Sequence, residues 1–290
     1  MTTKPTPSDD LACVDAFVDG PFSGNPAAVC VCDMPPRDSA WMQAVAAEMN
    51  LSETAFVWPI EPSVFGLRWF TPGAEVELCG HATLASAHRL WELGRALRGQ
   101  PIRFQTRFSG ELICSPAGGA SGGIEMDFPA DPVRPADPPK GLIETLGLPG
   151  GAGDATACFR ATYDWLVVLR SADAVRQAAP DFGALARFDV RGVCITAESD
   201  REGVDIESRF FAPRLRVAED PVTGSLHCAL AELWAPKLGR DRLTARQSSE
   251  RGGLLGVLRK PRPDGGPGRV TLSGHAATVW QGRWVSPRSG

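Results

Sequence analysis

The sequence predicts an α+β protein of two similar lobes, each a mixed β-sheet around one long helix. The pentapeptide RWFTP at residues 68–72 returns as RFFAP at 209–213, an offset of 209 − 68 = 141 in a chain of 290 residues. Each copy follows a strand-like run and precedes a polar loop, a glycine and a helical segment rich in Ala and Leu. We interpret the ordered agreement as a tandem duplication, which predicts two pseudo-symmetric lobes.

The elements follow one another in the same order in both copies. The strands SETAFVWP and GVCITAES come first, and the helices ATLASAHRLWELG and LHCALAELWAPKLG follow. We expect these helices to stop at Gly94 and Gly239, and Pro236 to kink or shorten the second one. After each helix the pattern is strand, glycine turn, strand, loop, strand, which predicts roughly six strands per lobe.

The lobe boundaries follow from this repeat. We expect an N-terminal lobe at 1–135, with the C-terminal strand 276–290 as a candidate to complete it, and a C-terminal lobe at 150–275. The segment 135–154 is rich in Pro and Gly, which is typical of a linker. Related lobes place equivalent elements face to face, so we expect a shared cleft lined by the two helix starts.

Composition excludes several classes of function. The 30 Lys and Arg against 34 Asp and Glu give a charge of −4 with no basic patch, which argues against binding to nucleic acid or to a membrane surface. No apolar run approaches the ~20 residues of a membrane span. The start MTTKPTPSDD lacks a signal-peptide core, so we expect a short flexible leader and a cytoplasmic protein.

Cysteines and cofactor motifs predict neither a metal nor a cofactor. Eight cysteines without an export signal are expected to be reduced, and Cys30 and Cys32 are best explained as core residues. No C-x-x-C pair and no glycine-rich phosphate loop occurs. A helix N-terminus presents free N–H groups, so the starts at Gly80 and Gly224 favour a small acidic substrate.

The first glycine motif, EVELCGHAT, contains two candidate chemical groups. Cys79 precedes a helix start, where a thiol is acidified, although a buried cysteine at a strand end explains this residue better when it is taken alone. His81 lies in the first helical turn, where it can contact a ligand or serve the core.

The second glycine motif, EDPVTGSLH, offers a carboxylate and two hydroxyls. Asp220 lies four residues before Gly224, which is far for a helix cap, so it can act as a proton carrier or hold a partner. Thr223 and Ser225 flank the glycine, either as caps or as ligands of the substrate. His227 is better explained by core packing.

Two further candidates precede the first repeat. Glu53 lies between a helix ending near Asn50 and the strand TAFVW, where it is either a surface carboxylate or a group lining the cleft. Asn25, in FSGNPAAV, suits a tight turn that can also present backbone groups to a ligand.

These motifs together resemble the PhzF family of phenazine-biosynthesis isomerases, within the superfamily of diaminopimelate epimerase and proline racemase. The resemblance covers nearly the whole chain and includes FSGNPAAV, NLSETAFV, RWFTPGAEVELCGHAT, RFFAP, EDPVTGSLH and QSSERGG. It implies the diaminopimelate-epimerase-like fold, in which each lobe is a curved mixed sheet wrapped around a central helix. It also implies a homodimer.

The resemblance further implies roles for individual residues. Glu53 corresponds to the family's catalytic glutamate, and His81, Asp220 and Ser225 to its other catalytic positions. Asn25, Cys79, Gly80, Thr223 and Gly224 are expected to bind substrate. The implied reaction is a cofactor-independent proton shift on a small unsaturated or amino carboxylic acid. A racemase or epimerase using Cys79 and a non-catalytic small-acid binder are the alternatives; the second glycine motif supplies no thiol, which disfavours a two-thiol mechanism.

Overall fold

A computed structural model describes residues 10–36, 38–118, 123–264, 266 and 268–283. The predicted leader, except for Asp10, lies outside the described residues, and so does the end of the predicted C-terminal strand from residue 284. Among the helices of this described part, none combines the length and apolar character needed to cross a bilayer.

The described chain is an α+β structure in which strands dominate. The strands are β1 (Asp10–Ala16), β2 (Asn25–Val31), β3 (Glu53–Glu61), β4 (Val64–Phe70), β5 (Glu75–Val76), β6 (Ile102–Thr106), β7 (Glu111–Pro116), β8 (Ile124–Pro129), β9 (Arg134–Pro135), β10 (Ala155–Arg160), β11 (Asp164–Leu169), β12 (Gly192–Glu198), β13 (Ile206–Ala212), β14 (Val217–Asp220), β15 (Arg242–Gln247), β16 (Gly253–Lys260), β17 (Arg269–Gly274) and β18 (Ala276–Arg283). The helices are α1 (Ser39–Met49), α2 (Gly80–Glu92), α3 (Ala172–Gln177), α4 (Phe182–Leu185) and α5 (Gly224–Leu238).

The chain forms two compact units. Unit 1 takes Met1–Val18, Pro26–Met126 and His275–Gly290, and unit 2 takes Asp19–Asn25 and Asp127–Gly274. Each unit is a mixed sheet with few helices.

In unit 1 the sheet is built around β3 and β4. β2 and β3 run parallel, β3 and β4 antiparallel, and β4 pairs with the short β5 antiparallel and with β6 in parallel. The strands β6, β7 and β8 continue as an antiparallel meander, and β18 pairs with β1. The parallel pairs arise because a helix crosses over between the strands: α1 between β2 and β3, and α2 between β4 and β6.

Unit 2 repeats this connectivity element by element. β11 and β12 are parallel, β12 and β13 antiparallel, and β13 pairs with the short β14 antiparallel and with β15 in parallel. The strands β15, β16 and β17 form the meander, and β9 and β11 flank β10. The helices α3 and α5 occupy the crossover places of α1 and α2. The predicted duplication is therefore visible in the topology.

The central helix of each unit is buried on most of its surface. α2 contacts β1, β3, β7 and β18, which requires the sheet to curve around it, and α5 contacts β15, β16 and β17. α2 begins at Gly80 and α5 at Gly224, as the glycine motifs predict. α5 continues past Pro236 and ends at Gly239, which has φ +66° as a left-handed C-terminal residue.

An arginine–glutamate pair holds the same corner in both units. Arg68 on β4 binds Glu75 on β5 through Nε–Oε1 and Nη2–Oε2, each at 2.6 Å. Arg209 on β13 binds Glu219 on β14 through the same atoms at 2.7 and 2.8 Å. The two arginines are the first residues of RWFTP and RFFAP. The repeated pentapeptide therefore encodes a structural element that positions the loop before each central helix.

Two sequence expectations differ from the structure. The segment 135–154, predicted to be a linker, belongs to unit 2, because Leu142, Leu146 and Leu148 are buried in the core against α3 and β11. Each unit also has more strands than the predicted six, and β5, β9 and β14 among them are only two to four residues long. Such short strands have no detectable periodicity.

Candidate active site

Glu53 is placed in unit 1 by the turn after α1. That helix ends at Asn50, whose left-handed φ of 50° turns the chain toward β3. Glu53 is the first residue of β3 and lies opposite Ala27 of β2 in the parallel pair. A parallel pair holds both strands rigidly, so the carboxylate projects from a fixed backbone position.

His81 and Cys79 lie at the start of α2 in the same unit. Cys79 is the N-cap residue but makes no side-chain capping bond, and His81 is in the first turn. The His81 Nε2 atom is 3.2 Å from Glu53 Oε2, and its Nδ1 atom is 3.5 Å from the Cys79 sulfur. The imidazole therefore lies between a carboxylate and a thiol.

Burial determines the charge of this imidazole. Desolvation lowers the pKa of His81 to about 4, so the ring is neutral at pH 7. A neutral imidazole carries one proton, which either faces Glu53 from Nε2 or faces Cys79 from Nδ1. The first tautomer leaves Nδ1 as an acceptor for the Cys79 thiol, and the second leaves Nε2 as an acceptor on the side of Glu53.

The same three groups could hold a metal ion. One ligand atom each from Glu53, Cys79 and His81 can be chosen so that all lie within 4.8 Å of one another. Sulfur, imidazole nitrogen and carboxylate oxygen are ligands of zinc and similar ions. Sequence spacing did not indicate this set, because Glu53 comes from a different element.

Unit 2 contains a second cluster, centred on Asp220. The Asn25 amide donates to Asp220 Oδ1 at 2.9 Å and to the Val222 carbonyl at 2.8 Å, and the Thr223 hydroxyl donates to Asp220 Oδ2. Burial raises the pKa of Asp220 to about 6, against the hydrogen bonds from Thr223 and Asn25, which lower it. Asp220 is thus a proton-exchanging group near neutral pH.

Gln247 fixes the loop that carries Asp220. Its Oε1 accepts from the Thr223 backbone N–H at 2.8 Å, and its Nε2 donates to the Asp220 carbonyl at 2.6 Å. Gln247 is fully buried and opens the QSSERGG segment. No role for Gln247 was predicted, because a single glutamine before a turn carries no specific signal.

Ser225 is exposed in the first turn of α5 and contacts Arg191. The Arg191 Nη1 group donates to the Ser225 hydroxyl at 3.0 Å, and its Nε donates to the buried Asp164 at 2.9 Å. Neither Arg191 nor Asp164 was singled out in the sequence. His227 is fully buried with Nδ1 2.8 Å from the Thr223 carbonyl oxygen, which fits its interpretation as a core residue.

Strand register relates the two clusters. Phe56 pairs with Arg68 in unit 1 and Ile195 pairs with Arg209 in unit 2, so Phe56 and Ile195 are counterparts. Glu53 and Gly192 each lie three residues before them and therefore correspond as well. With Arg68 aligned to Arg209, the next residue, Trp69, is the counterpart of Phe210. Their partners across the short strands are Val76 and Asp220, which therefore correspond as well.

The helix starts correspond with a different offset. Gly80 and Gly224 are 224 − 80 = 144 residues apart, three more than the two arginines. The three extra residues lie between β13 and β14, where Pro213–Leu215 forms a 3-10 turn. With the glycines aligned, Cys79 matches Thr223 and His81 matches Ser225.

The candidate residues are thus grouped by unit. Unit 1 brings together Glu53, Cys79 and His81 around Gly80, and unit 2 brings together Asn25, Asp220 and Thr223 before Gly224 and Ser225. Asn25 contributes its side chain rather than the backbone groups expected from its turn. That all of these residues serve one substrate stays a prediction.

Comparison with known proteins bears on the family and the fold of the chain. The family model of the phenazine biosynthesis-like proteins matches residues 14–282. An uncharacterized isomerase of Halalkalibacterium halodurans is 46% identical over 92% of this chain and 94% of its own. A PhzF-family crystal structure from Enterococcus faecalis aligns with TM-score 0.85 and 35% identity, covering 96% of this chain and 99% of the other. A predicted epimerase from Pseudomonas aeruginosa shares the fold, with TM-score 0.70, 24% identity and coverage of 96% and 100%.

The two units of repeated topology form the diaminopimelate-epimerase-like fold, and the chain's relatives are named isomerases. Within that class, the chain belongs to the PhzC–PhzF family of phenazine biosynthesis-like proteins.

Proposed function

We propose that the protein shifts a proton on a small unsaturated or amino carboxylic acid, with Glu53 as both acid and base. The observation that carries the proposal is the 3.2 Å contact between Glu53 Oε2 and a buried, neutral His81. The Glu53 carboxylate removes a proton from one carbon, and the resulting carboxylic acid returns a proton to another carbon. This proton shift needs no oxidant or reductant, because the substrate itself delocalises the charge between the two steps.

His81 acts by orienting the carboxylate. With its proton on Nε2, the ring lies 3.2 Å from Glu53 Oε2 and leaves Nδ1 as an acceptor for the Cys79 thiol, 3.5 Å away. Relative exposure favours this arrangement, because Glu53 is partly exposed whereas Cys79 is buried. A negative charge is more stable on the better solvated group.

The opposite proton placement supports the alternative, a thiol-dependent racemase or epimerase. A proton on Nδ1 would face a Cys79 thiolate, and the 3.5 Å contact permits it. Unit 2 has Thr223 at the matching position, and its Cys228 lies within α5 with a pKa raised to about 12 by burial. A second reactive thiol is therefore absent from the corresponding part of unit 2, which favours the carboxylate mechanism.

Asp220 is proposed to position substrate and to balance charge. Its pKa of about 6 lets it gain or lose a proton near neutral pH, and Asn25 and Thr223 hold both carboxylate oxygens in place. A group that titrates in this range can accompany a change of charge on the substrate without leaving a buried charge uncompensated.

The test is solvent exchange followed by mutagenesis. Candidate unsaturated and amino acids are incubated with the protein in deuterated water, and deuterium uptake is measured by NMR. The acid that exchanges is then assayed with Glu53→Gln, Cys79→Ala and the control Glu61→Gln, an exposed carboxylate at the other end of β3. Loss of exchange in Glu53→Gln alone supports the proposal.

Two other outcomes contradict it. Loss in Cys79→Ala with near-normal Glu53→Gln supports the racemase. Acids that bind without exchange in the unaltered protein support a non-catalytic binding protein.

The homodimer and the cytoplasmic location stay predictions. Light scattering of the purified protein tests the first, since a dimer has twice the 30.9 kDa chain mass. Fractionation of the native cells tests the second.

A further inference from the structure

We propose that Arg191 binds the carboxylate of the acidic substrate and thereby determines its specificity, an inference that rests on the proposed function. No role for Arg191 follows from the repeated motifs, because it lies outside them. The geometry around its guanidinium, all within unit 2, points to an anion-binding site shared with Ser225.

Arg191 occupies a distinctive position in the repeat. Gly192 is the counterpart of Glu53, and Ser225 is the counterpart of His81. In unit 1 these positions hold an acid–base pair; in unit 2 the contact to the first helical turn is made by Arg191, one residue before Gly192. The duplicated site thus has a cation and a hydroxyl where its copy has a carboxylate and an imidazole.

An aromatic ring occupies the place in unit 2 where the carboxylate would stand. A Cβ atom on Gly192 would lie 2.1 Å from the Phe210 ring, so any side chain there requires the ring to move. The Arg191 guanidinium lies over that same ring, with its central carbon 5.7 Å from the centroid, and over Tyr163 at 5.4 Å. The aromatic rings that exclude a side chain at position 192 therefore support the arginine.

The guanidinium of Arg191 is held in one orientation before a ligand arrives. Asp164 is fully buried and takes the Nε and one Nη group in a two-point contact, while the other Nη reaches Ser225. An arginine has five N–H donors, so these three bonds leave donors for a ligand. With 29% of its side chain exposed, Arg191 is accessible to an anion.

The chemistry of the neighbours fits a carboxylate. Ser225 adds a hydroxyl, and the first turn of α5 contains no acidic residue and no side-chain cap. Since Asp164 neutralises the guanidinium, binding depends on directed hydrogen bonds more than on net charge. A planar carboxylate matches the planar donor fork, which an amide of the same shape does not.

The alternative is that Arg191 only neutralises Asp164. The test therefore compares benzoate with benzamide, a neutral probe of the same shape, by calorimetry and by NMR of the arginine Nε–H signals. The variants are Arg191→Lys, the double variant Arg191→Gln with Asp164→Asn, and the control Arg259→Gln. The double variant removes the buried charge together with its partner, so it is expected to fold. Arg259 forms a two-point contact with Glu232 elsewhere in unit 2.

We expect benzoate to bind more tightly than benzamide, with the preference reduced about tenfold in Arg191→Lys and abolished in the double variant, and unchanged in Arg259→Gln. A folded double variant that keeps the preference overturns the proposal, and so does an unaltered protein that shows none. Glu53→Gln separates the two claims. If it retains both solvent exchange and benzoate preference, Glu53 catalysis fails while the anion site stands.

Discussion

Units 1 and 2 share a scaffold and differ in chemistry. Both keep the arginine–glutamate pair, Arg68 with Glu75 and Arg209 with Glu219, and both begin a buried helix at a glycine. The groups around that glycine differ at every chemical position: Glu53 against Gly192, Val76 against Asp220, Cys79 against Thr223, and His81 against Ser225. The contacts that maintain the fold are thus separable from the residues that are proposed to act on a ligand.

The largest expected effect is on turnover and concerns Glu53, the proposed acid–base group of unit 1. Glu53→Gln keeps the shape and the contact to His81 but cannot carry the proton. We expect turnover of the identified acid to fall about 10²- to 10⁴-fold with little change in its affinity. Steady-state kinetics and calorimetry measure the two quantities. A fall in affinity with unchanged kcat would assign Glu53 to binding and remove the functional contrast between the units.

The next effect is the pH dependence of stability, to which one buried histidine in each unit contributes. Burial lowers the pKa of both His81 and His227 to about 4, from 6.5 when unfolded. The unfolded chain therefore binds more protons between these values, and stability falls as the pH drops below about 6.5. From pH 7 to 5 we expect each histidine to cost about 2 kcal/mol.

Asp220 opposes this trend. Its pKa is raised from 3.8 to about 6 in the folded state, so its stabilising contribution is present at low pH and is lost as the pH rises through 6. Urea unfolding at pH 7 and pH 5 measures the net slope. His81→Asn and His227→Asn should each flatten the slope, whatever their effect at pH 7, and an unchanged slope in both would show that neither imidazole is buried neutral.

A smaller effect, on stability, tests the difference between the two units at Gly192. Ala at this position puts its Cβ 2.1 Å from Phe210, so the ring has to move, and we expect a loss of about 1–3 kcal/mol. Gly73→Ala is the matched control, because its Cβ meets nothing within 4 Å. Chemical denaturation of both variants measures the difference. Equal stabilities would mean that the aromatic ring does not exclude a carboxylate from unit 2.

The smallest effect concerns the pair Cys79 and Thr223. Removing the thiol leaves Glu53 and His81 in contact, so Cys79→Ala should lower turnover less than about tenfold under the carboxylate mechanism. Thr223→Ala removes a donor to Asp220, and the apparent pKa near 6 should rise in its pH–rate profile. A Cys79 variant without activity would instead assign the chemistry to sulfur.

Much of the fold could be predicted because its signals are local. A glycine before an Ala- and Leu-rich run predicts a helix start, and the starts of α2 and α5 at Gly80 and Gly224 are confirmed. The repeated pentapeptide was found, but its purpose was not: the partners of Arg68 and Arg209 lie 7 and 10 residues further along the chain. The unequal spacing hides their equivalence.

The second cluster shows what sequence cannot supply. Asn25 and Asp220 are 195 residues apart, and Arg191 and Ser225 are 34 apart, so no spacing rule relates them. In the sequence, Asp164 resembles an ordinary polar residue at the start of a strand. Only its complete burial shows why it needs an arginine.

By itself, the sequence determined the α+β class, the duplication and the residue types available for proton transfer, because helix starts, strand patterns and repeats are encoded over short stretches. The tertiary structure decided which of these groups meet: His81 with both Glu53 and Cys79, Asp220 with Asn25, and Arg191 with Ser225. It also decided their protonation, since burial shifts the pKa of His81 and Asp220, and burial is a property of the packed chain rather than of any segment.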